Sequence, residues 1–309
     1  MHKLNRRQII QSATWGAAVL IRTPSILAQS ESNPMPAIAC PQPFVLARDG
    51  TRLFVQNWGS GRPVIFLSAW TFYSNVWGSH IAALTSHGLR CVAPDRRGHG
   101  RSEAPSTGYD LDTMVDDLSR IMDQLDLRDA VLVAHSMGSF EAVRYCATRG
   151  ANRIARLVLA APATPFSTRT DNNPEGWPKE ALEAQTQLIA RDFPRWIGEN
   201  EGPFFIPDTS QETRTWIKNI MMSVSLPVAL ATRITTSTAD VRPDLKKITC
   251  PTLIVHGDKD FSAPLAVTGA RTARLIPNSR LIVYPDAPHA IILTHQERFL
   301  SDLLAFIEA

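Results

Sequence analysis

The stretch VLVAHSMGSF (131–140) constrains this chain more than any other. Its leading apolar residues read as a strand buried on both faces, the mark of a parallel sheet. Ala134-His135-Ser136-Met137-Gly138 then fits a small-x-Ser-x-Gly nucleophile elbow, and a helical pattern follows over 137–149. A strand-to-helix turn this sharp holds Ser136 in a strained backbone conformation and demands small residues two places to either side. It lifts the serine hydroxyl out at the carboxyl edge of the sheet. It also aims the Met137 N–H, at the helix N-terminus, at the same point, where the helix dipole favours developing negative charge.

The surrounding pattern supplies the sheet. Strand signals over 51–58, 64–67, 89–93, 131–134, 156–160, 252–256 and 281–284 alternate with helical patterns over 75–87, 111–125, 137–149, 263–275 and 295–309. That alternation predicts a doubly wound, mostly parallel α/β sheet covered on both faces. The core is expected over 44–166 and 243–309. Between them, 167–242 carries no strand signal but many large apolar side chains, among them Trp177, Phe193, Trp196, Phe204, Phe205, Trp216, Met221 and Met222. An insertion there lies beyond the carboxyl end of a strand, where such folds bind ligands. It is expected to form a helical cap.

Charge narrows the function classes. The 32 basic and 29 acidic side chains give a net +3, but Lys3, Arg6, Arg7 and Arg22 all fall in the first 28 residues, which hold no acid. Without those four the rest balance to 28 against 29, so no nucleic-acid footprint remains. Residues 1–28 read as an export signal: a basic head, an apolar run over 13–21, then Ala28. Such a run spans about 14 Å as a helix, short of the roughly 30 Å hydrocarbon core. The Arg6-Arg7 pair resembles a twin-arginine signal, so an exported protein without stable membrane insertion is expected, with 29–43 as linker. Cys40, Cys91, Cys146 and Cys250 show no metal spacing; Cys91 and Cys146 lie in apolar patterns and read as small core residues.

A serine hydroxyl needs a base, and the base an orienter. In this architecture the chain order is Ser, acid, His. LIVHGDKDF offers Asp258 and Asp260, and YPDAPHA offers His289, each leaving a strand at the same edge as Ser136. Asp260 is preferred, because Asp258 directly follows Gly257 in the turn, where a short carboxylate bonds its own backbone. His256 reads as a satisfied strand-end residue and His135 as the free position of the elbow. His80, His87 and His295 read as surface groups on or beside helices, and His99 as part of a glycine turn. A second oxyanion donor is expected from the loop after 64–67, at the backbone N–H of Trp70. Trp70, Phe72, Phe166 and Trp196 are candidate substrate contacts, and no arginine cluster announces an anionic group on the substrate.

These residues resemble the α/β-hydrolases of the cofactor-free (non-haem) chloroperoxidase and aryl-esterase group. The likeness rests on VAPDRRGHGRS (92–102), GYDLDTMVDDL (108–118), LDLRDAVLVAHSMGSFEAVRY (125–145), DNNPEGWPKE (171–180), GPFF (202–205), DLKKITCPTLIVHGDKD (244–260) and YPDAPHAIILTH (284–295). It implies an α/β-hydrolase fold with Ser136, Asp260 and His289 as triad, and Trp70 and Met137 as oxyanion donors. Asp95, Arg96, Gly98 and Gly100 would brace the neighbouring loop. The chain departs from the group at Ser68-Ala69, where His-Gly is common, and at Thr71, where peracid-forming members carry proline. Ala134 and Ser139 replace glycines in the elbow.

The expected function is hydrolysis of an aryl or medium apolar ester or lactone through an acyl-enzyme, with a small-molecule substrate and neither metal nor organic cofactor. Peroxide-dependent acyl transfer with secondary halogenation is the alternative, disfavoured by Thr71. A non-catalytic binding protein on a hydrolase scaffold is the alternative of another class, and self-association into a homo-oligomer stays open.

Overall fold

A computed structural model describes residues 43–150 and 152–309. The expected export signal, all but the last residue of the linker, and Cys40 lie outside the described residues. The chain enters through β1 (Phe44–Leu46) and β2 (Arg52–Trp58), an antiparallel ribbon in which β1 had no counterpart in the sequence pattern. Then come β3 (Pro63–Leu67), α1 (Gly78–Ser86), β4 (Arg90–Pro94), α2 (Leu111–Gln124), β5 (Ala130–His135), α3 (Gly138–Thr148) and β6 (Ile154–Ala160). Helices α4 (Lys179–Arg191), α5 (Phe193–Glu199), α6 (Gln211–Met222), α7 (Leu226–Thr238) and α8 (Arg242–Leu245) separate β6 from β7 (Thr252–Gly257). The chain closes with α9 (Gly269–Leu275), β8 (Ser279–Tyr284), α10 (Ile291–Thr294) and α11 (Gln296–Glu308).

The strands form one eight-stranded sheet in the order β1-β2-β4-β3-β5-β6-β7-β8. From β4 through β8 every pairing is parallel, while β2 runs antiparallel to both neighbours. The period-two alternation of strands decides what each face holds. Ile65, Leu67, Leu132 and Ala134 pack with residues of α2 and α3 on one face. Val64, Phe66, Val131 and Val133 pack with α1 and α11 on the other. Both faces are thus covered, as continuous apolar strands require.

The departures from the sequence reading have local causes. The helix expected over 75–87 begins as a 3-10 turn at Ser74–Trp77 before α1. The helix expected over 263–275 starts only at Gly269, because Ala263 is held in an irregular turn. Its N–H donates to Asp260 Oδ1 at 2.7 Å and its carbonyl accepts from Thr268 Oγ1 at 3.0 Å. His80, read as a surface group, is buried between the rings of Trp77 and Phe299. It shares the buried face of α1 with Ile81 and Leu84. Burial lowers its pKa to about 4, so it sits there neutral. His99 is buried as well, its Nδ1 2.9 Å from the Arg97 carbonyl, while His295 is half-buried and His87 exposed.

Candidate active site

Ser136 follows β5 directly and has φ +53°, a left-handed conformation that a serine rarely adopts. The sharp turn holds because Gly138 lies against β3: a Cβ there would stand 2.8 Å from the Leu67 carbonyl oxygen. Ser139, in place of glycine, donates its hydroxyl to the Ser136 carbonyl at 2.5 Å and accepts from the Ala163 N–H at 3.2 Å. The elbow is therefore tied to the strand ends on either side.

Asp260 lies just beyond β7 and His289 just beyond β8, so the parallel strands deliver both to the edge that carries Ser136. His289 Nε2 is 2.8 Å from Ser136 Oγ, and its Nδ1 is 2.7 Å from Asp260 Oδ2. With Asp260 as acceptor, Nδ1 carries the hydrogen and Nε2 faces the hydroxyl as acceptor. Asp258, the alternative acid, is exposed. Burial alone would raise the Asp260 pKa, but the imidazoles of His289 and His256 outweigh it and hold the carboxyl well below the ordinary carboxylate range.

The role of His256 lay beyond the sequence reading. Its Nε2 is 2.8 Å from the Ala263 carbonyl and 3.1 Å from Asp260 Oδ2. A carbonyl can only accept, so Nε2 is the protonated nitrogen and points its hydrogen between the two oxygens. Asp260 thus meets His289 and His256 on one oxygen and the Ala263 amide on the other. The visible signal was the i, i+4 spacing of His256 and Asp260 across the strand end. His135 Nε2 lies 3.0 Å from the His289 carbonyl, and burial lowers its pKa to about 3, which keeps that ring neutral beside His289.

The Trp70 and Met137 amides donate to no protein acceptor among the described residues, and both residues border the same cavity as Ser136. The loop carrying Trp70 is braced from below. Buried Arg96 donates to the Ser68 carbonyl at 2.7 Å and the Ala69 carbonyl at 3.4 Å, and pairs with Glu141 at 2.7 Å. Asp95 accepts from the Ser74 N–H at 2.9 Å and the Arg101 N–H at 2.8 Å. Gly100, at φ +53°, passes so close that a Cβ would stand 2.4 Å from Asp95 Oδ2. Thr71 adopts φ +61°, and its hydroxyl donates to the Trp70 carbonyl at 2.6 Å. A proline ring, held near φ −65°, cannot occupy that conformation.

A cavity of about 320 Å³ opens from Ser136 and His289 toward the helices between β6 and β7. Trp70, Phe72, Phe166 and Trp196 all border it. The Trp70 indole N–H donates to the Ala229 carbonyl on α7 at 2.9 Å, and its ring meets Trp196 edge-on at 5.5 Å. Phe72 is nearly sealed beneath the cavity and meets Phe204 edge-on at 5.9 Å. Phe204 in turn lies 5.7 Å from the His289 ring. Among the described residues no cluster of His, Cys, Asp or Glu is arranged to hold a metal ion.

Comparisons with known proteins bear on the fold and the family. Residues 62–296 match the alpha/beta hydrolase fold family. The chain is 36% identical to a non-heme chloroperoxidase of Kitasatospora aureofaciens, over 86% of this chain and 99% of that one. It is 33% identical to a bifunctional esterase/perhydrolase of Acinetobacter calcoaceticus, over 86% and 99%. Among solved structures, an esterase from Exiguobacterium antarcticum superposes with a TM-score of 0.83 at 32% identity, covering 86% of this chain and 99% of the other. A match across most of the chain, in sequence and in backbone alike, makes it a member of the α/β-hydrolase fold family, akin to the non-heme chloroperoxidases.

Proposed function

We propose that this chain is a serine hydrolase that cleaves carboxylic esters or lactones through an acyl-enzyme. The observation that carries the reading is His289 bridging Ser136 Oγ at 2.8 Å and Asp260 at 2.7 Å. In this reading His289 Nε2 takes the Ser136 proton as the hydroxyl oxygen attacks the carbonyl carbon. Asp260 holds the ring in the required tautomer and stabilises its positive charge. The Trp70 and Met137 amides receive the oxyanion; losing one such donor costs about 10²–10³ in rate. The imidazolium then protonates the leaving alcohol, and water, deprotonated by His289, releases the acid. The apolar lining of the cavity suits an aryl or medium-sized acyl group.

Turnover of p-nitrophenyl acetate tests this reading. Ser136→Ala and His289→Gln are each expected to lose about 10⁴-fold or more in kcat. Retained activity in Ser136→Ala would refute it. The kinship with an esterase/perhydrolase favours a second activity, attack of hydrogen peroxide on the same acyl-enzyme. Thr71 weighs against it, since its φ of +61° gives the loop a backbone that proline could not share. Bromination of monochlorodimedone in acetate and peroxide is therefore expected to be slow beside ester hydrolysis.

A further inference from the structure

The charged side chains bordering the cavity are Glu175, Glu201, Lys218 and Arg233, together with His289 of the site itself. Three of them are already paired. Glu175 meets Arg271 at 2.7 Å, and Glu201 meets Lys218 at 2.9 Å and Arg214 at 3.6 Å. Arg233 differs. Among the described residues no carboxylate lies within ion-pair distance of it, and its only side-chain partner is the neutral Gln185 Oε1 at 3.2 Å. Its Nε is sealed from solvent without any hydrogen-bond partner. Burial pulls the guanidinium below its ordinary pKa with no counter-charge opposing it.

Its position on α7 links it to the reaction centre. Ala229, Arg233 and Thr236 recur at helical spacing and so share one side of the helix. Ala229 accepts from the Trp70 indole at 2.9 Å, while Arg233 and Thr236 border the cavity. The Cα of Arg233 therefore stands about one helical turn, roughly 6 Å along α7, from that of Ala229, the anchor of the oxyanion loop. A guanidinium presents five N–H donors in a planar fork that matches a carboxylate. The shielded Nε leaves the charge poorly solvated, and an anionic group entering the cavity would offset that cost by meeting the terminal nitrogens and supplying the missing counter-charge.

We propose that Arg233 is a specificity-determining residue that binds a carboxylate carried by the substrate away from the scissile bond. The preferred substrates are then half-esters of dicarboxylic acids, or lactones bearing a free carboxylate. This rests on the ester-hydrolase reading above and names the substrate class for the same cavity.

The test compares monomethyl half-esters from succinate to suberate with neutral methyl esters of equal chain length. The quantity read is the ratio of their kcat/KM values within each protein. The wild type is expected to favour the half-ester at one or two chain lengths. In Arg233→Met that ratio is expected to fall by about 30-fold or more, as for a buried charge pair that loses one partner, mainly through KM. Arg233→Lys should recover part of it. A ratio equal in wild type and Arg233→Met, or a wild type favouring the neutral ester at every length, would overturn the proposal. Should Arg233→Met not fold, the wild-type preference and the lysine variant decide the matter alone. Binding of monomethyl adipate and methyl hexanoate to Ser136→Ala, read by tryptophan fluorescence, separates the two readings. If no ester is cleaved by the wild type but the half-ester still binds more tightly, the hydrolase reading fails and the anion site stands. Equal binding of both esters sinks the anion site, whatever the turnover.

Discussion

The sheet edge and the helices between β6 and β7 border the same cavity, yet they are built by different rules. At the edge, β5 and β7 are buried along their whole length, and Ser136, Asp260 and His289 each follow the end of a strand. In the insertion, α4 buries only Ile189, α5 only Phe193 and Ile197, and α6 only Ile217 and Ile220, while α7 buries Val228, Ala229, Thr232, Thr236 and Ser237. Trp177, Trp216 and Ile234 stay exposed there. In the proposed reading, two of the three triad residues thus leave strands that tolerate little change, while His289 leaves the less buried β8. Selection of substrate falls, in the same reading, to the insertion, through side chains such as Arg233 that border the cavity rather than build the sheet.

The largest contrast should come from matched changes in the two regions. Gly138→Ala brings a methyl group to 2.8 Å from the Leu67 carbonyl oxygen and 2.9 Å from Leu67 Cβ. Backbone has to move, at a cost of about 1–3 kcal/mol in stability. A displacement of the serine on the ångström scale costs about 10²-fold in kcat. Trp177→Ala, on the insertion, should leave the unfolding free energy within about 0.5 kcal/mol of wild type. Chemical denaturation and ester kinetics on both variants check this. Comparable losses in the two would erase the distinction.

A smaller effect is expected at His256, which touches Asp260 and not the substrate. His256→Asn should lower kcat by roughly tenfold, the worth of one hydrogen bond to a charged group. The sharper readout is the acid limb of kcat/KM. Without the His256 donor, one of the two imidazoles that hold the Asp260 carboxyl low is gone, so that carboxyl takes up its proton at higher pH. The limb should therefore move to higher pH. A loss of rate with an unshifted limb would make His256 merely a packing residue. An unchanged rate and limb would remove it from the site altogether.

Much of the body was legible because strands buried on both faces leave long apolar runs, and because the elbow leaves a pentapeptide with steric demands. Ala134 and Gly138 meet those demands, and Ser136 takes the strained φ they permit. Less was legible where one side chain serves two neighbours. His80 looks polar in a helical pattern, but it occupies a buried position between two aromatic rings. The start of α9 was misplaced because Asp260 and Thr268 hold Ala263 out of helical geometry, a requirement of the site overriding a helical pattern. Arg233 was overlooked for a related reason. A sequence shows where charges cluster, whereas what distinguishes this one is the carboxylate that is missing from its surroundings.

The central claim is that Ser136 carries the acyl group, and trapping it is the most direct test. Acid quenching during p-nitrophenyl acetate turnover, followed by peptide mass mapping, should find the acetyl group on the peptide containing Ser136. It should be absent from His289→Gln treated in the same way. An acetyl group on another residue, or steady turnover with Ser136 never modified, would contradict the account.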